Sequence, residues 1–339
     1  MKILVTGGLG FIGSHTVVEL VNAGYDPVII DDLSNSNVRI LDQIAKIIGY
    51  KPAFHEFDLC DAKAVKDFAA NNPDIGGIIH FAASKAVGES VQLPLKYYRN
   101  NFYSLINILQ AYEGSPLNFV FSSSCTVYGQ PDVLPVTEDA PVKPAESPYG
   151  NTKQIAEEIL RDVVAAGSAY KVIALRYFNP VGAHDSAMIG ELPIGVPQNL
   201  VPFITQTAIG KREKLTVFGD KYDTPDGSCI RDYIHVVDLA RAHVAALKLM
   251  EQPGFNGYDV FNIGTGKGYT VLEVINAFEQ STGKKLNYQI GPPRSGDIEK
   301  VWGDVSKSTQ KLHWKAERDI DTMMSSAWAW ENYITQNPL

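Results

Sequence analysis

Tyr149 and Lys153 stand four residues apart in the stretch Ser147-Pro148-Tyr149-Gly150-Asn151-Thr152-Lys153. The residues before them are helix-start signals: Ser147 can cap, and Pro148 has no amide hydrogen to lose at the first helical position. Beyond them Ile155, Ala156, Ile159, Leu160, Val163 and Val164 recur at helical spacing, so helix follows. Tyr149 and Lys153 then share one face, a turn apart. An ammonium beside a phenol favours the phenolate. A fall of roughly three units from about 10 needs about 4 kcal/mol of differential stabilisation. Such a phenolate removes a proton from an alcohol near neutral pH. Ser124, 25 residues ahead of Tyr149, can hydrogen-bond that alcohol and Tyr149 together. By themselves these residues read first as an exposed pair on an ordinary helix and a serine-rich loop. The elements that hold them decide.

Apolar runs alternate with helical patterns through the first half. The runs predict strands at Ile3–Thr6, Val28–Asp31, Ala53–Phe57, Gly77–His80, Asn118–Phe121 and Val172–Leu175, with helices between, such as Ile12–Ala23 and Leu95–Tyr112. That alternation predicts an α/β protein with a Rossmann-type, doubly wound parallel sheet. Gly7, Gly10 and Gly13, with Phe11 and Ile12 between the last two, link the first strand to the first helix. Their spacing allows a tight turn and lets backbone amides approach a pyrophosphate. Asp31 ends the second strand, where it can accept both hydroxyls of an adenosine ribose. A carboxylate there repels a 2′-phosphate, so NAD is favoured over NADP. Asp32 adds loop polarity. Asn35 and Ser36 are turn residues or ribose contacts, and Asp58 marks an adenine edge or a solvated loop. After the fourth strand, Phe81, Ala82 and Ala83 precede Lys85, which can reach a phosphate or ribose. His80 reads as a packed histidine, because no cluster has metal-ligand spacing. Asn100, inside a helix, calls for a polar contact to a neighbouring helix or a water. No G-x-S-x-G elbow is visible.

The chain has 339 residues, 45% hydrophobic and 20% charged, which predicts an ordinary globular protein of two lobes. We expect a nucleotide domain over 1–179 and a smaller α/β substrate domain over 180–339, with part of 233–265 packing back on the first. No apolar run is long enough to span a bilayer, and the first residues enter a strand pattern without the zones of a leader peptide. Cys60, Cys125 and Cys229, odd in number and far apart, fit a reducing cytoplasm. A net charge of -8 argues against nucleic-acid binding. It also requires local cations or amides around any anionic ligand.

In this order, the glycine turn, Asp31, Ser124 and Tyr149-x-x-x-Lys153 resemble the extended short-chain dehydrogenase/reductase family, over nearly the whole chain. Longer strings are similar to its nucleotide-sugar 4-epimerases: Lys85–Ser90, Ser122–Gly129, Arg176–His184, Arg231–Val236 and Arg294–Asp297. The resemblance implies a tightly bound NAD, a UDP-hexose substrate and a homodimer. It implies interconversion of UDP-galactose and UDP-glucose through a 4-keto sugar, NAD being regenerated in each cycle. Ser124, Tyr149 and Lys153 would be catalytic. The glycine turn, Asp31, Asp58, Leu59, Phe81, Ala82, Lys85, Asn100, Lys153 and Phe178 would hold NAD. Asn179, Asn199, Leu200, Thr216, Val217, Phe218, Arg231, Tyr233, Arg294 and Asp297 would contact the substrate. Arg231 and Arg294 suit a diphosphate, because a guanidinium binds phosphate through two parallel hydrogen bonds. Phe218 would lie near uracil and Asp297 near the ribose. Asp32 stands where asparagine is common, and Ala83 where glycine is. At Val301 some members carry tyrosine, so the valine implies room for a 2-acetamido group and turnover of UDP-GlcNAc and UDP-GalNAc. Three rivals remain: a 4,6-dehydratase, for which Cys125-Thr126 replaces the needed Asp-Glu pair, a dehydrogenase releasing NADH, and a silent NAD-sensing protein.

Overall fold

Runs such as Ile3-Leu4-Val5 and Ile78-Ile79 have no polar face, and the structure leaves these five side chains 0–1% exposed. Only a sheet covered on both sides accommodates that pattern. The computed structural model describes residues 1–294 and 298–339. Its first part alternates β1 (Lys2–Thr6), α1 (Phe11–Asn22), β2 (Asp26–Asp31), α2 (Arg39–Ile48), β3 (Ala53–Glu56), α3 (Ala62–Asn71) and β4 (Ile75–His80). There follow α4 (Val87–Gln92), α5 (Pro94–Ala111), β5 (Asn118–Ser124), α6 (Pro148–Ala165) and β6 (Lys171–Tyr177). The chain continues through β7 (Asn179–Val181), α7 (Leu200–Ala208), β8 (Leu215–Phe218), β9 (Ile230–His235), α8 (Val236–Glu251) and β10 (Tyr258–Ile263). It ends with β11 (Gly268–Thr270), α9 (Val271–Thr282), β12 (Tyr288–Gly291), β13 (Lys300–Val301), α10 (Ser306–Lys311) and α11 (Ile320–Gln336).

Seven strands form the main sheet in the order β3-β2-β1-β4-β5-β6-β10. Every neighbouring pair in it is parallel. The six expected strands are all present. The seventh arrives from far along the chain: it ends at Phe261–Ile263, within the 233–265 stretch expected to pack back, with Phe261 and Ile263 fully buried. Alternate residues feed opposite layers. Ile3 and Val5 pack with α1, α2 and α8, while Leu4 packs with α3, α5 and α6. The strand order reverses between β1 and β4, which opens the crevice where such sheets bind ligands.

In the second part β9 pairs with β7, β11 and β13, and β8 pairs with β12. Ile204, Phe278 and Met324 from α7, α9 and α11 centre a third core beside them. Between these pieces α8 and β10 return to the main sheet, where α8 packs on α1. Among the described residues, no helix is long and apolar enough to cross a membrane.

Candidate active site

The β1–α1 turn is built from backbone alone. Gly7 has φ +69°, and a Cβ added there would lie 3.1 Å from the Ala82 amide nitrogen. A Cβ on Gly13 would lie 2.2 Å from the Gly7 carbonyl oxygen. Helix α1 therefore starts hard against the turn, and no side chain caps its first amides. Amides left open at a helix start make an anion site, so the turn fits a dinucleotide pyrophosphate. Asp31, 7% exposed, accepts hydrogen bonds from the Leu9 amide (3.0 Å), the Leu33 amide (3.0 Å) and the Ser36 hydroxyl (2.7 Å). Burial pushes its carboxyl up, and those donors oppose the rise. Ser36 thus bonds Asp31, whereas Asn35 is exposed. Asp32 is exposed and closes its own turn with Ser34.

Asp58 is exposed and accepts from the Cys60 amide (2.8 Å), with Leu59 buried beside it. Phe81, Ala82 and Ala83 are half-buried, and the Phe81 ring lies 4.7 Å from that of His243. His80 bonds the Thr6 hydroxyl (3.0 Å), and burial pushes it down to about 3, which fits a packed neutral ring. The polar contact sought at Asn100 is made by its neighbour. Asn100 donates to Asn101, and Asn101 reaches the Thr152 hydroxyl on α6 (2.9 Å) and the Ser84 amide (2.8 Å). Both asparagines carry the same sequence signal; which one faces α6 depends on the rotation of α5. Lys85 is exposed and pairs with Glu191 (3.7 Å), whose carboxylate also accepts from the Asn199 side chain (2.6 Å). Glu191, which the sequence did not single out, therefore joins the two halves of the site.

Helix α6 begins as the Ser-Pro signal predicts, with the Ser147 hydroxyl accepting from the Gly150 amide (3.1 Å). This sets Tyr149 and Lys153 beside the end of β5. Ser124 ends that strand, where its hydroxyl pulls against the rise of the Tyr149 phenol. The Lys153 ammonium donates to the Ser122 carbonyl (2.5 Å) and lies 5.9 Å from the centre of the Tyr149 ring. The three residues therefore meet. The protein's own groups do not acidify the phenol. Burial pushes Tyr149 up to about 12, against the pull of Ser124, and pushes Lys153 down to about 7, against the pull of Glu157. Desolvation is a three-dimensional quantity that a four-residue spacing does not carry, and here it dominates the phenol. The Thr126 hydroxyl, in the turn after Ser124, is buried with no hydrogen-bond partner among the described residues.

The remaining candidates lie on the second part. Asn179 pairs with Tyr233 across β7 and β9, and Val301 with Arg231 across β13 and β9. Phe178 and Val301 are buried in one cluster with Val127 and Tyr128. Asn199 opens α7; Leu200 packs in the core that holds Val217 and Tyr233. Thr216 accepts from Gln289 (3.3 Å), and the Arg294 guanidinium lies 4.8 Å over the half-open Phe218 ring. Burial pushes the Tyr233 phenol up to about 12, and the charges of Arg231 and Arg294 pull against the rise. Asp297 lies outside the described residues. No group of three His, Cys, Asp or Glu among the described residues is arranged to hold a metal.

A doubly wound sheet with a glycine turn, an acid ending β2 and Ser, Tyr and Lys at the β5–α6 edge defines an extended short-chain dehydrogenase/reductase. The family model described as GDP-mannose 4,6 dehydratase matches residues 4–327. The chain is 49% identical to a UDP-glucose 4-epimerase of Bacillus subtilis over 333 residues, 98% of this chain and 97% of the relative. It is also similar to the Bifidobacterium longum UDP-glucose 4-epimerase solved in complex with NAD+ and UDP (TM-score 0.93, 45% identity, 100% and 99% of the two chains). The Stenotrophomonas maltophila enzyme with bound NAD and formylated UDP-arabinopyranose is similar at TM-score 0.95 and 43% identity, covering 99% of each chain. The chain belongs to the UDP-glucose 4-epimerase family.

Proposed function

We propose that this chain is an NAD-dependent 4-epimerase that interconverts UDP-galactose and UDP-glucose. The observation that carries the reading is the meeting of Ser124, Tyr149 and Lys153 beside a glycine turn that admits no side chain. Gly7, Gly10, Phe11, Ile12, Gly13, Asp31, Phe81, Ala82, Lys85 and Lys153 would hold NAD, which when bound supplies a hydride acceptor and a positive ring. Tyr149 takes the proton of the C4 hydroxyl and later returns it. Ser124 holds that hydroxyl against Tyr149, and Lys153 supplies the cation that the phenolate needs. Arg231 and Arg294 grip the diphosphate, leaving the hexose free to present either face. Cys125-Thr126 argues against water elimination, because neither side chain is an acid near neutrality; burial pushes the Cys125 thiol up to about 12. Incubating the pure protein with UDP-galactose, without added cofactor, should yield UDP-glucose. Tyr149→Phe should lower the rate at least 1000-fold, roughly the reach of a positioned acid–base group, while the protein keeps its nucleotide. Steady release of NADH by the parent protein would favour a simple dehydrogenase.

The same site is proposed to accept UDP-GlcNAc and UDP-GalNAc. Val301 is a small residue in the apolar wall beside Phe178, and Gly303 follows it so closely on that ring that an added Cβ would lie 2.5 Å away. Absence of UDP-GlcNAc turnover would remove this extension. A homodimer is proposed through α4 and α5, where Val91, Leu93, Tyr103 and the 81% exposed Leu95 form an apolar face. Sedimentation as a monomer would end that proposal. Three free cysteines support a reducing cytoplasm, which fractionation of native cells would check.

A further inference from the structure

Beneath the proposed proton-transfer site lies a buried ion pair that the reaction as described does not use. Arg176 of β6 holds Glu157 of α6 with two hydrogen bonds, Nε to Oε1 at 3.0 Å and Nη2 to Oε2 at 2.7 Å, and both side chains are 3% exposed. Ser123 donates to the same carboxylate (2.5 Å). Ser123 and Arg176 face each other in the β5–β6 register. One carboxylate thus pins two strands to α6 at the step just before Ser124. It also stands four residues, one helical turn, from Lys153 on the same helix.

Burying an ion pair is costly enough that an apolar pair of equal volume is often as stable or more so. Stability is therefore a poor reason for charge at this point. The groups around the pair have other partners. Tyr128 lies under the Arg176 guanidinium (4.7 Å) and donates to Asn262 (2.6 Å). Arg176 also reaches the Glu138 carbonyl (3.3 Å), and Arg161 lies over Tyr258 (5.5 Å). Around the Lys153 ammonium stand the Phe121 ring (4.8 Å), the Ser122 carbonyl, Tyr149 and the neutral His80. None of these is an anion.

We propose that Glu157 is a positioning residue for the proton transfer: clamped by Arg176 and Ser123, it keeps a fixed carboxylate one turn from Lys153, so that Lys153 stays cationic in a dry site. The inference rests on the proposed roles of Tyr149 and Lys153. Burial alone drives Lys153 down, and Glu157 is the group that pulls it back up. The carboxylate also orients the strand end from which the Ser122 carbonyl and the Ser124 hydroxyl meet Lys153 and Tyr149.

The test is the pH dependence of kcat for UDP-galactose epimerisation by the holoprotein, with the ultraviolet titration of the Tyr149 phenol, taken as a difference against Tyr149→Phe, as a readout independent of turnover. In Glu157→Gln, Lys153 loses its anion. The alkaline limb of kcat should then move toward acid by about one pH unit, and the Tyr149 midpoint should move the other way, toward alkali, because the phenolate loses part of its cation. Arg176→Lys loosens the paired geometry but keeps both charges, so it should lower kcat and leave the limb in place. If Glu157→Gln does not fold, Glu157→Gln with Arg176→Gln removes both charges and leaves neither unpaired, and shifts of the same signs but smaller size are expected. A limb and a phenol midpoint that coincide with the parent's in the variant that folds would overturn the inference. So would an equal shift in Arg176→Lys, which would make the pair merely structural. A parent protein that does not epimerise fails the reading of the site instead, and the phenol titration still decides the role of Glu157.

Discussion

Lys153→Met should make the holoprotein inactive and its nucleotide-free form more stable. The ammonium is 5% exposed, and burial lowers it from 10.5 to about 7. The difference, 10.5 minus 7, is 3.5 units, or about 5 kcal/mol at 1.36 kcal/mol per unit. The sign follows from linkage. A base whose folded pKa lies below its unfolded one carries no penalty above about pH 10.5, and the full penalty once the pH falls below about 7. Methionine keeps the packed stem but gives up the charged hydrogen bond to the Ser122 carbonyl, a loss of about 2 kcal/mol. The net gain near pH 7 is about 3 kcal/mol, which for a chain of this size raises Tm by about 5 °C. Urea unfolding of parent and variant, both stripped of nucleotide, should show that gain near neutral pH and its disappearance by about pH 10. A variant less stable than the parent near pH 7 would refute the claim that the charge is held against its solvation cost.

Gly13→Ala brings a Cβ to 2.2 Å from the Gly7 carbonyl, so α1 must shift by about 1 Å or the turn must open. The purified variant should lack bound NAD, measured by release on acid denaturation, and should lose about 1–3 kcal/mol of stability. Val301→Tyr fills the wall beside Phe178. Turnover of UDP-GlcNAc should fall below detection while that of UDP-galactose stays within about tenfold, as coupled assays on the two substrates would show.

The sequence carried the parts of the site that are local. A capped helix start and a four-residue spacing are enough to face Tyr149 and Lys153 together, and three glycines in register are enough to announce a turn without side chains. Quantities that depend on the whole fold were not legible. The phenol is pushed up rather than down, because the weight of buried surface around Tyr149 comes from strands and loops distant in sequence. Asn100 and Asn101 were indistinguishable until packing fixed the rotation of α5 against α6. Glu157 shares Lys153's helical face at a spacing visible in the sequence, but its importance needed Arg176 and Ser123, which reach it from two strands. Part of 233–265 was expected to pack back on the first domain, but β10 was missed as a strand because its end runs straight into Gly264-Thr265-Gly266.

The late return of the chain to the main sheet has a mechanical consequence. Cutting the gene after residue 179 would not liberate a dinucleotide module. It would strip β6 of its outer neighbour, leaving a raw hydrophobic edge, and would uncover α1 where α8 shields it. Tyr25–Glu251 and Glu19–Arg241 contacts fasten the same seam. A body sewn through in this way resists jaw-like opening, so exchange of the sugar nucleotide should proceed by movement of loops at the rim, with the oxidant's half of the molecule standing still.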